Sequence, residues 1–197
     1  DVNGDGRPDV AAASVGGKVS VLLAQADGTL SKGADFDPGV DTRGLALADL
    51  DGDGKLDLLA VGGTEGKLMV LRGDGKGSFD VGGKASVNVG ASPVAVVAVD
   101  LDGDGKLDVA VANGGSNDVM VIGNKGGGVL EARSLTEVTI ITNPPNTPDI
   151  ERTVMTLSAG GGMTTLLAAP LGRDLRTDLL TINSAERSAT TLYNVSR

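Results

Sequence analysis

No cysteine, histidine or tryptophan occurs in the 197 residues. Without imidazole or thiol the chain lacks the usual general base, the thiol nucleophile and the common transition-metal ligands. It also has no disulfide, which by itself says nothing about compartment. Aromatic residues are nearly as scarce, with Phe36, Phe79 and Tyr193 making up the whole set. The core must therefore be packed from Val, Leu, Ile and Ala, and sugar recognition by stacking on aromatic faces has little to work with. Positive charge is in short supply too: 17 basic against 26 acidic residues leave a net charge of −9, which argues against the basic face that nucleic-acid binding requires. No signal peptide or membrane span stands out. Because the chain opens on the first residue of a repeat, it is expected to be part of a longer one, so that absence decides little.

What is abundant is aspartate and glycine. The acidic residues divide into 21 Asp and 5 Glu beside 31 Gly, a bias towards turns and loops at the expense of helices. With 40% hydrophobic residues the chain can bury a core, and it reads as one all-β domain over residues 1–197.

A nine-residue loop is written three times. Asp49-Leu-Asp51-Gly-Asp53-Gly-Lys55-Leu-Asp57 and Asp100-Leu-Asp102-Gly-Asp104-Gly-Lys106-Leu-Asp108 are nearly identical, and Asp1-Val-Asn3-Gly-Asp5-Gly-Arg7-Pro-Asp9 has the same pattern. Oxygen-bearing side chains at positions one, three, five and nine, with Gly at six for a tight turn, let a short backbone wrap a hard cation such as calcium. Carboxylates at this density repel one another and raise each other's pKa unless a divalent cation neutralises them. Eleven of the acidic residues lie in these loops, and three calcium ions would bring the net charge to about −3. Position twelve excludes an EF-hand, which needs a bidentate Glu there and flanking helices; the residues at that position are Ala12, Ala60 and Val111. Each loop runs instead into an apolar stretch, Val10-Ala-Ala-Ala13, Leu58-Leu-Ala-Val61 and Val109-Ala-Val-Ala112, read as buried strands. Plain Asp-Gly hairpin turns are the simpler explanation, but they do not require four oxygen-bearing side chains in register three times.

The loops begin at residues 1, 49 and 100, and the same syntax follows each one. A second strand lies at Val19–Leu23, Leu68–Leu71 and Val119–Ile122, then a turn at Asp27-Gly28, Asp74-Gly75 or Gly126-Gly-Gly128. A more polar third strand is expected around Leu30–Phe36, Phe79–Val89 and Val129–Ile141, and an apolar strand, Leu45–Ala48 or Val94–Val99, leads into the next loop. Four strands per period of about fifty residues, with small residues innermost, is the requirement of a β-propeller of four-stranded antiparallel blades. The blades fall at roughly 1–41, 42–90, 91–142 and 152–197. The first lacks its innermost strand and the fourth its outer one, so about four blades form a partial or open ring.

The phrase from Ala91 to Asn113, with Val119-Met-Val-Ile122, resembles the FG-GAP and VCBS repeats of bacterial extracellular proteins, relatives of the integrin alpha-subunit propeller. The resemblance is strong to about residue 130 and weak beyond. It implies that the loop joins the first two strands of a blade and binds calcium through the positions named above, with the main-chain oxygens of Arg7, Lys55 and Lys106 as position-seven ligands. The fourth copy, Pro170 to Asp178, loses two side-chain ligands and gains Arg173 and Arg176. It is expected to be metal-free, a guanidinium pairing with Asp174 or Asp178 in place of the cation. The spacing stretches to 70 residues here. The extra length, roughly 135–169, includes Asn143-Pro-Pro-Asn-Thr-Pro-Asp149 between two strand-like stretches, Glu137–Thr142 and Thr153–Leu157. It reads as a surface insertion, or as an arm whose free edge meets a partner.

No catalytic constellation stands out, since the densest carboxylates are committed to metal, and the chain is read as non-enzymatic. Arg72-Gly73-Asp74 spells a tripeptide that some integrins recognise, but it sits where Ala26-Asp27-Gly28 forms a turn in the preceding repeat, and is read as turn syntax. Asn194-Val-Ser196 is a lone glycosylation sequon. The expected function is a calcium-binding structural or adhesion module at the cell surface or outside the cell, self-assembling or bound to a protein partner. The alternative is a propeller that binds polysaccharide or protein within a larger secreted enzyme or receptor. Nucleic acid is not an expected partner, and no membrane span is expected.

Overall fold

The structure is a computed structural model that describes residues 1–14, 16–64, 66–133, 163–169, 178–183 and 188–192. Fourteen strands and no helix occur among them, in four antiparallel sheets that follow one another along the chain. The first sheet holds β1 (Val10–Ala13), β2 (Val19–Ala24) and β3 (Leu30–Phe36). The second holds β4 (Thr42–Ala48), β5 (Asp57–Gly62), β6 (Lys67–Leu71) and β7 (Ala85–Asn88). The third repeats that order with β8 (Pro93–Val99), β9 (Asp108–Asn113), β10 (Asp118–Asn124) and β11 (Leu130–Arg133). The fourth contains β12 (Met163–Ala169), β13 (Asp178–Asn183) and β14 (Ser188–Leu192). Each sheet is an up-and-down meander, and the innermost strands lie side by side, β4 against β8 and β8 against β12. The architecture is a partial β-propeller.

The packing follows from strand alternation. All six residues of β5 and all six of β9 are buried, and successive side chains of a strand point to opposite faces. Leu58 and Ala60 therefore join Val19, Val21, Phe36, Met69, Leu71 and Phe79 between the first and second blades. Leu59 and Val61 face the other way, onto Val96, Val109, Val111 and Ile122. Along β9, Ala110 and Ala112 belong to a further cluster with Val97, Val99 and Val121. The core is thus a series of thin aliphatic layers between blades, which explains how the chain dispenses with large rings. Phe36 and Phe79 are an exception, meeting edge-to-face with centroids 5.2 Å apart between the first two blades. Where the inner strands converge, size is limiting: a Cβ on Gly44 would lie 2.9 Å from the Ala95 Cα.

Two expectations need correction. The strand after the first loop is not buried: β1 is largely exposed and Val10 is 42% accessible, because among the described residues no strand pairs with its inner edge as β4 pairs with β5. The outer strand of the second blade is shorter than Phe79–Val89. Phe79 forms only an isolated bridge with Gly73. The Asp80 carboxylate then accepts the N–H groups of Gly82 (2.8 Å) and Gly83 (3.0 Å), bending the chain away before β7 begins. A feature with no sequence signature also recurs. The inner hairpin of blades two, three and four skips one residue in register at its start, between Thr42 and Gly44, Pro93 and Ala95, and Met163 and Thr165. The strand-like stretches 137–142 and 153–157 lie outside the described residues.

Candidate metal centre

The three loops fold alike because their own carboxylates organise their backbone. The position-one carboxylate sits at the centre. Asp49 Oδ1 accepts the N–H of Gly52 (2.8 Å) and Asp53 (3.1 Å), and Oδ2 that of Gly54 (2.8 Å). Asp1 does the same with Gly4, Asp5 and Gly6, and Asp100 with Gly103 and Gly105. Position three accepts the amide of position five (Asn3, Asp51 and Asp102), and position five accepts the amide of position seven at 2.9 Å (Asp5, Asp53 and Asp104). The glycines at positions four and six have positive φ in every copy, which turns successive N–H groups inward.

At position seven the side chain folds back onto position five. Lys55 Nζ lies 2.9 Å from Asp53 Oδ2 and Lys106 Nζ 2.5 Å from Asp104 Oδ2, while Arg7 pairs with Asp5. The Lys55 ammonium, with its backbone N–H, holds the Asp53 carboxyl below its ordinary value, and Asp53 in turn raises Lys55.

Position nine has a second role that sequence reasoning missed. Asp57 is 1% exposed and Asp108 2%, and each clamps the start of its own loop to the end of the blade's third strand. Asp57 accepts from Leu50 N (3.2 Å) and Gly73 N (3.0 Å), and Asp108 from Leu101 N (3.2 Å) and Asn124 N (2.8 Å). Asp9 does so with Val2 and Ala24. Burial pushes the Asp57 carboxyl up, against the opposing pull of the Gly73 and Leu50 N–H groups and the Arg72 guanidinium.

Carboxylate oxygens of Asp49, Asp51 and Asp53 lie within 4.8 Å of one another, as do those of Asp100, Asp102 and Asp108. Two oxygens that share a calcium at roughly 2.3–2.6 Å can stand no more than about 5 Å apart, so each triad fits one such ion. Hard anionic oxygens without nitrogen or sulfur donors suit calcium rather than zinc or copper. Asp57 is turned towards the Arg72 guanidinium, which it shares with Asp51. In the first loop Asn3 stands where the others have a carboxylate and donates to Asp5 Oδ2 at 2.9 Å. The fourth loop, with Arg173, Asp174 and Arg176, lies outside the described residues.

The first two loops are also tied to the following blade through their position-two carbonyls. Val2 O accepts Gly77 N at 2.9 Å. Leu50 O accepts the Nδ2 of the buried Asn124 at 2.7 Å, and the same Nδ2 donates to Leu107 O at 3.0 Å. The sequence offered only one hint of this, a polar residue at the end of an otherwise apolar third-blade strand. The Arg72-Gly73-Asp74 tripeptide is absorbed into the same framework. Arg72 also donates to Gly127 O at 2.9 Å, and the Asp74 carboxylate accepts Lys76 N at 2.7 Å and Ser78 N at 3.0 Å.

This is a β-propeller-type binding or structural module, and comparison with known proteins agrees. A solved structure described as the basis of specific recognition of non-reducing terminal N-acetylglucosamine by an Agrocybe aegerita lectin superposes with a TM-score of 0.50 at 18% identity. The likeness covers 100% of this chain and 51% of the lectin chain; the chain spans about half the length of that relative, and at this identity the likeness is one of fold alone. No curated protein sequence matches. The FG-GAP-like repeat pattern matches residues 1–60 and again residues 49–111, each match beginning at the first residue of one of the aspartate loops; the chain belongs to the FG-GAP-like repeat family.

Proposed function

We propose that the chain is a calcium-stabilised, non-catalytic module of an extracellular or cell-surface protein, which holds a rigid surface for a protein partner or another copy of itself. The observation that carries this reading is the convergence of Asp49, Asp51 and Asp53, and of Asp100, Asp102 and Asp108, in loops whose position-one carboxylate already orders the backbone around them. Asp57, Asp104 and the position-seven carbonyls of Lys55 and Lys106 complete the two sites, and Asp1, Asn3, Asp5, Arg7 and Asp9 form the third. Because the position-two carbonyls of the first two loops are bonded to the next blade, an ion there steadies that bond as well as its own turn. A site that binds a hundredfold tighter than ambient calcium would add about 2.7 kcal/mol to stability, which makes the fold strongest in a calcium-rich exterior. Among the described residues no strand pairs with the inner edge of β1, where Val10 is exposed, and a strand from elsewhere in a longer protein or from a partner would complete that sheet by strand addition.

The likeness to a lectin supports a second reading, recognition of a carbohydrate. Weighing against it, Phe36 and Phe79 are buried against each other, so neither offers a sugar-stacking face. Sedimentation velocity and thermal melting of the chain in millimolar calcium, then after chelation, test the first reading. A loss of stability or of assembly on chelation supports it; a chain indifferent to chelation refutes it. Titration with N-acetylglucosamine and its oligomers under the same conditions tests the second.

A further inference from the structure

Arg72 brings a positive charge into the second loop from another part of the blade. It follows β6 directly, its Nη1 pairs with Asp51 and lies 3.3 Å from Asp57 Oδ2, and its Nη2 donates to the carbonyl of Gly127 in the third blade. Aligned on the amide that the position-nine carboxylate receives (Ala24, Gly73 or Asn124), the residues equivalent to Arg72 are Leu23 and Gly123. Of the three repeats, only the second carries a cation at this position.

Resting on the calcium reading above, we infer that Arg72 is a tethered competitor that sets the affinity of the second loop and couples its occupancy to the joint between the second and third blades. Asp51 belongs to the carboxylate triad a calcium ion would use, and one carboxylate cannot give its full charge to a guanidinium and a divalent ion together. An ion entering the loop therefore draws Asp51 off Arg72. Once its carboxylate partner is committed elsewhere, the guanidinium has less reason to remain extended towards Gly127. Calcium at the second loop would thus loosen one polar tie to the third blade while it stiffens the loop. The sequence suggested a guanidinium acting in place of the cation only for the fourth copy; the second loop displays that arrangement.

The test is a calcium titration of the full, 15N-labelled chain followed by NMR, for the unmodified protein and for Arg72→Gln. The Gly52 and Gly54 amides report the second loop, and those of Gly103 and Gly105 the third. The expected result is a roughly tenfold tighter second loop in R72Q, with the third loop changed less than about twofold. In the unmodified protein the Arg72 Nε–H resonance moves with the second loop's midpoint, a measurement that holds even if R72Q folds poorly. An unchanged second-loop affinity in R72Q, or an Arg72 resonance that stays put while Gly52 and Gly54 shift, overturns the inference and leaves calcium binding intact. No calcium response in any loop overturns both.

Discussion

Asn124 joins the second loop to the third blade, and its removal has a cost that can be worked from its contacts. The side chain is 3% exposed; Nδ2 donates to Leu50 O at 2.7 Å and Leu107 O at 3.0 Å, and Oδ1 accepts Gly126 N–H at 2.9 Å. Truncation in Asn124→Ala strands the Leu50 carbonyl in a buried site, at about 2 kcal/mol, and removes two half-buried bonds worth about 1 kcal/mol each. The expected loss is about 3–4 kcal/mol, a large share of the roughly 5–15 kcal/mol that holds an ordinary domain. At roughly 2–4 °C per kcal/mol for a chain of this length, the melting temperature falls by about 10 °C. The assay is urea and thermal unfolding in saturating calcium. Asn124→Asp serves as control: it keeps an acceptor, loses both donors, and sets a negative charge beside the Asp108 carboxylate, which already receives Asn124 N–H at 2.8 Å. It should be at least as unstable as the alanine variant. A loss under about 1 kcal/mol for N124A, or an aspartate variant more stable than it, would refute the reasoning.

Two glycine substitutions should separate backbone strain from collision. Gly54 has φ +83° and no atom within 4 Å of a built Cβ, so Gly54→Ala costs about 1–2 kcal/mol. A Cβ on Gly73 would overlap the Leu56 carbonyl, and Gly73→Ala should exceed about 3 kcal/mol; equal losses in denaturant unfolding would mean that the outer turn does not rest on the loop. Acid sensitivity of the chelated chain offers a further check. Burial raises Asp57 above its ordinary 3.8, so the folded state holds that proton more tightly than the unfolded one. Its contribution to stability is greatest below 3.8 and is lost as pH rises through the folded value. Asp53 is lowered chiefly by Lys55 and acts oppositely, favouring the fold above 3.8. In melts from pH 3 to 6, Asp57→Asn should lose less stability than the unmodified chain as pH rises; the reverse order would contradict the assigned burial.

The period, the strand order and the turn that precedes each buried strand were all legible in the sequence, because each is written locally. Unbroken apolar runs mark β5 and β9, Asp-Gly pairs close the turns, and the aspartate spacing within nine residues is enough to place position one among its own amides. Partners distant in sequence were not legible. Nothing around Arg72 announces that its guanidinium reaches Asp51, and nothing around Asn124 points to a carbonyl 74 residues away. The position-nine aspartates could be read as metal ligands from spacing alone, yet their burial and their grip on the strand across the hairpin depend on how the hairpin closes. The exposure of β1, beside a copy of the same sequence pattern that is wholly buried in β5, shows the same division. Local sequence determined that a strand forms there, since a short apolar run and turn chemistry act within a few residues. Whether that strand is covered, which blade its loop is tied to, and which cation a carboxylate meets were decided only when the blades packed, because burial and long-range pairing belong to neighbours the local pattern does not name.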